Sequence, residues 1–124
     1  MIARVILATE DSRFRKELEQ MLEEPDALVH SVGTASRVWE RLSKDSYDLV
    51  IVSYSLFSNV RAFADMKSLP DPPAVIVFLP TSDPKLEGEL MAEGCEAVLS
   101  RQYSSSSIRD TIETILEKRE QSVV

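Results

Sequence analysis

Few residues of this 124-residue chain could do chemistry, and they fall into two groupings. Glu10 and Asp11 stand together after an apolar run over residues 2–8, and Ser53 closes the run Leu49-Val50-Ile51-Val52. Two adjacent carboxylates can hold a hard cation, or they can cap a helix and favour its dipole. A serine hydroxyl is a weak nucleophile until a base takes its proton, and no residue beside Ser53 in the sequence is suited to that task. One histidine, His30, and one cysteine, Cys95, are too few ligands for a zinc centre and exclude an internal disulfide. Cys95 is read as a packing residue.

These side chains must be positioned by the elements around them. Residues 2–8, with Ile2, Val5, Ile6 and Leu7, read as a short buried strand. Phe14, Leu18, Met21 and Leu22 then share one helical face, with Asp11 or Ser12 as the cap, and Pro25-Asp26 breaks that helix. Residues 27–32 alternate as a second, less buried strand, and Ala35, Val38, Trp39 and Leu42 follow at helical spacing behind Thr34. The third strand is predicted from Asp48 to Ser53; its β-branched Val50, Ile51 and Val52 fit a parallel strand covered on both faces.

Val60, Phe63 and Ala64 give a weaker stripe within residues 59–69, and Leu69-Pro70-Asp71-Pro72-Pro73 forces a turn. Residues 74–79 are the most hydrophobic run and are predicted to be central. Asp83-Pro84 supplies a cap and a first-turn proline for a helix bearing Leu86 and Leu90, which Gly94 ends. A short fifth strand, Ala97-Val98-Leu99, precedes a serine cap within residues 104–107. The last helix, with Ile108, Ile112, Ile115 and Leu116, is predicted to run to about Lys118. Strands alternating with helices over short connections specify an α/β fold with a parallel sheet and right-handed crossovers.

With 44% hydrophobic and 28% charged residues the chain fits one domain, placed at residues 1–119, with residues 120–124 as a tail or a linker to a further output domain. A net charge of −7 repels phosphate backbones and anionic lipid headgroups, so neither nucleic acid nor membrane is an expected partner. No apolar run is long enough to span a bilayer and no signal-peptide pattern opens the chain, which points to a cytoplasmic protein.

Five strand-helix units, the acidic pair Glu10-Asp11 and the third strand Tyr47-Asp48-Leu49-Val50-Ile51-Val52 together resemble the receiver domain of two-component response regulators. The resemblance implies a flavodoxin-like (βα)5 doubly wound sheet of strand order 2-1-3-4-5, with Glu10, Asp11 and Ser53 meeting at the switch point. It also implies a phosphate-accepting carboxylate at the end of strand three and a magnesium ion held with the acidic pair. Ser53 occupies the acceptor position, so magnesium at Glu10 and Asp11 is expected to be weak or absent. The family's hydroxyl at the end of strand four falls at Leu79, its lysine after strand five at Arg101, the following proline at Gln102, and its aromatic switch residue at Val98.

The pattern is therefore that of a degenerate pseudo-receiver, without enzymatic activity. Its implied role is a phosphorylation-independent interaction or dimerisation module in signal transduction, acting through the helix 4, strand 5, helix 5 face. Arg101 is expected to lie against Asp11 or Glu10 and neutralise the acidic cluster without metal. Two other readings stand beside this one: a receiver phosphorylated at a residue other than Ser53, and a flavodoxin-like small-ligand domain. The second lacks a Gly-rich phosphate loop after strand one, since the whole chain has three glycines.

Overall fold

A computed structural model describes residues 2–23 and 27–121. Strands β1 (Ala3–Ala8), β2 (Ala27–Val32), β3 (Leu49–Ser53), β4 (Ala74–Leu79) and β5 (Ala97–Ser100) alternate with helices α1 (Ser12–Met21), α2 (Ala35–Lys44), α3 (Val60–Lys67), α4 (Pro84–Ala92) and α5 (Ser105–Gln121). All strand pairs are parallel, in the order β2-β1-β3-β4-β5. This is the flavodoxin-like topology expected from the sequence.

The two faces of the sheet make two cores. Along β4, Ala74, Ile76 and Phe78 join Phe14, Leu18 and Met21 of α1 and Ile108, Ile112 and Ile115 of α5. The alternate residues Val75, Val77 and Leu79 join Val38 of α2, Phe63 and Met66 of α3, Leu90 of α4, and Cys95. Every residue of β3 and β4 is buried, because helices cover both sides of a central parallel strand.

Helix starts are set by side-chain caps. Asp11 Oδ1 accepts from Arg13 N and Phe14 N, Thr34 Oγ1 from Arg37 N, Asp83 Oδ1 from Leu86 N, and Ser104 Oγ from Ser107 N. After α4 the chain turns at Gly94 with φ +102°, where Cys95 N donates to Leu90 O.

Several boundaries depart from the sequence reading. Ile2 lies outside β1 and is 58% exposed, since the β1–β2 register begins at Ala3 and β3 joins only at Val5. Asp48 precedes β3 instead of starting it: its Oδ2 accepts from Arg4 N at 2.8 Å, closing the strand's entrance. Val60 and Ala64 of the α3 stripe are only half-buried, whereas Met66, not assigned to it, is fully buried. A 3-10 turn at Tyr54–Leu56, unforeseen, separates β3 from α3. The strand β5 takes in Ser100, and α5 continues to Gln121, beyond Lys118. The break assigned to Pro25-Asp26 and the end of the assigned tail, residues 122–124, lie outside the described residues.

The edge strand β2 is tied to the third unit by one polar contact. His30 Nδ1 and the buried Tyr47 hydroxyl share a hydrogen bond of 2.7 Å.

Candidate functional site

The order β2-β1-β3 brings the C-terminal ends of β1 and β3 side by side. Because Ala8 pairs with Val52, the next residues in register are Thr9 and Ser53. Both are buried, Ser53 to 5% exposure, and Ser53 Oγ donates to Thr9 Oγ1 at 2.9 Å. Thr9 is fixed in turn: its N–H donates to Val32 O, and its Oγ1 also accepts from Asp11 N at 3.2 Å. The centre of the site is thus a pair of neutral, mutually satisfied hydroxyls.

The carboxylates lie around this pair with partners of their own. Ser55 Oγ donates to Glu10 Oε1, so the 3-10 turn after β3 reaches back to the loop after β1. Asp11 uses Oδ1 to cap α1, while Oδ2 accepts from Arg101 Nη2 at 3.0 Å. The Arg101 guanidinium also lies over the Phe14 ring, 4.1 Å from its centroid, and that ring meets Phe78 edge-on at 4.9 Å. The N–H of Phe14 is the main cause holding the Asp11 carboxyl below its usual range, with the charge of Arg101 acting in the same direction and desolvation opposing.

At the end of β4, Leu79 is buried in the apolar layer, and its carbonyl accepts from Arg101 N at 2.9 Å. Thr81 and Ser82 are exposed in the loop beyond it. Gln102 N donates to Ser100 Oγ, and Tyr103 lies 43% exposed at the start of the loop to α5.

Glu10, Asp11 and Ser53 therefore lie around the ends of β1 and β3 without direct hydrogen bonds between their side chains. Ser53 is joined to Thr9, Glu10 to Ser55, and Asp11 to Arg101. Thr9 and Ser55 are site residues that sequence reasoning missed. A hydroxyl one place beyond a buried strand looks like a turn residue until the parallel register sets it against Ser53. Among the described residues no group of three or more His, Cys, Asp or Glu side chains is placed to hold a metal ion.

No protein-family model matches the sequence, and no curated protein matches it significantly. Solved structures do resemble the chain. An orphan response regulator of H. pylori superposes with a TM-score of 0.82 at 20% identity, covering 92% of this chain and 96% of its own. The signal receiver domain of an HD-domain-containing protein from Pseudomonas fluorescens gives 0.85 at 18% identity, covering 98% and 99%. A CheY-like response regulator receiver domain protein from Methanospirillum hungatei gives 0.85 at 14% identity, again covering 98% and 99%. At these identities the likeness establishes the fold, which is that of response-regulator receiver domains.

Proposed function

We propose that this receiver-fold chain is a pseudo-receiver, a signalling domain that takes no phosphoryl group at the end of its third strand. It acts instead as a phosphorylation-independent protein-interaction or dimerisation module. The observation that carries this reading is the buried Ser53–Thr9 hydroxyl pair. Phosphoryl transfer needs an ionised or base-activated oxygen with open approach to the incoming phosphorus. Ser53 offers a neutral hydroxyl whose proton is given to Thr9, and no carboxylate is bonded to it.

The donor set does not fit a resident magnesium ion either. Magnesium favours anionic oxygens in near-octahedral array. Both Asp11 oxygens already accept hydrogen bonds, one of them from Arg101, which leaves Glu10 as the one carboxylate of the acidic pair outside an ion pair. In this reading Arg101 takes the charge-balancing part that a bound cation would otherwise play.

The surface assigned to the partner is the face of α4, β5 and α5. Two of the exposed large apolar side chains, Met91 on α4 (50% exposed) and Tyr103 before α5, lie on or between these elements and suit the apolar centre of a protein contact. Among the described residues no helix is long and apolar enough to cross a membrane, and the charge of −7 disfavours nucleic acid.

The test is incubation with acetyl phosphate and magnesium followed by intact-mass measurement. The expected spectrum keeps the unmodified mass; a stoichiometric phosphate adduct at any residue overturns the proposal and favours a working acceptor elsewhere in the chain.

A further inference from the structure

Strands β2 and β5 are the two edges of the sheet, and they differ in how they are protected. Edge strands expose unpaired N–H and C=O groups, and natural sheets guard them with charge, proline, bulges or shortness. β5 has four residues between Glu96 and Arg101. β2 has six, Ala27-Leu28-Val29-His30-Ser31-Val32, with no Asp, Glu, Lys, Arg or Pro among them and an unbroken register against β1. Leu28 is 48% exposed, and Ile2, immediately before β1, is exposed as well.

We infer that β2 pairs with β2 of a second copy of this chain, joining two sheets edge to edge about a two-fold axis. Backbone direction supports this occupant. Thr9 N donates to Val32 O, so the backbone groups of Val32 face β1, and by alternation those of His30 and Leu28 do too. The N–H and C=O groups of Ala27, Val29 and Ser31 therefore face outward.

A two-fold axis perpendicular to the sheet requires one residue to oppose itself. With Val29 at the centre, Val29 meets Val29 of the second copy and Ala27 meets Ser31, so every outward group of these three residues gains an antiparallel partner. Leu28 then lies against His30 of the second copy on one face. No charge opposes a like charge along this ladder. In a chain of net charge −7, a charge-free edge is a surface on which two copies can approach. The contact leaves the α4, β5, α5 face open, so it does not depend on the function proposed above. Its area is that of a strand pair, which implies a weak dimer.

The experiment is analytical ultracentrifugation of the full chain, from dilute protein up to the millimolar regime. The wild-type chain is expected to pass from monomer to dimer. Leu28→Lys charges the edge at an exposed position, and Ser31→Pro removes an outward N–H that β1 does not use; both should remain monomeric with an unchanged circular dichroism spectrum. Met91→Lys, on α4 far along the strand order from β2, should dimerise as wild type does. A wild-type chain that stays monomeric throughout, a dimer that survives both edge substitutions, or one lost in Met91→Lys overturns the inference.

Discussion

At the residue scale the site is defined by what each polar atom already holds. Ser53→Ala removes a donor while Thr9 keeps the Asp11 N–H, so urea denaturation should show a loss of about 0.5–1.5 kcal/mol. Ser53→Asp buries a carboxylate against a hydroxyl while Arg101 remains on Asp11, and should cost more, on the order of 1–3 kcal/mol. Asp11 has a lowered pKa when folded, so its contribution is present above the unfolded value and is lost as pH falls through the folded one. Arg101→Met keeps contact with Phe14 but removes the positive charge. An NMR titration should then find the Asp11 carboxyl shifted upward, yet still below its usual range, because the Phe14 N–H remains. Cys95 is buried, which pushes its thiol up to about 11. Thiol reagents at mildly alkaline pH should leave it unmodified in the native protein and label it fully in denaturant; labelling of the native form at the same rate would contradict this burial.

At the element scale the caps and the left-handed turn carry the most local information. Gly94 at φ +102° is the residue that lets α4 end and β5 begin, and a Cβ there would sit 3.4 Å from Lys67 Cγ. Gly94→Ala should therefore lower stability by about 1–2 kcal/mol, measured by chemical denaturation. The caps Thr34 and Asp83, the glycine stop, and the first cap narrowed to Asp11 or Ser12 were legible in the sequence, because each depends on a residue type at a fixed offset from an apolar stripe. The apolar runs likewise announced every strand. What stayed hidden depends on pairing between distant segments. Thr9 becomes a site residue only through the Ala8–Val52 register, and the Tyr54–Leu56 turn is held partly by aromatic packing, with Tyr54 stacked near Phe63 and Phe57 set against both Phe63 and Trp39. The receiver resemblance led to the expectation that Arg101 lies against Asp11 or Glu10, and the structure pairs it with Asp11; its seat on Phe14 was not anticipated, since a helix-face residue and a loop residue far apart in the chain share no local pattern.

At the scale of the whole molecule, charge and topology act together. Two copies each carrying −7 repel over roughly a Debye length, about 10 Å at 0.1 M ionic strength, so added salt should strengthen any pairing through the uncharged β2 edge. Sedimentation at low and high sodium chloride checks this, and a dimer weakened by salt would point to an ion-paired interface instead. The two sheet edges lie at opposite ends of the strand order, so pairing at β2 and docking on the β5 side are compatible in one assembly. The bond between His30 and Tyr47 has a further use. As the chain's single histidine, His30 contributes the only imidazole ring signals in a proton spectrum, and they come from β2 itself. The protein thus contains its own spectroscopic label at the sheet edge, readable without isotopes or added dyes.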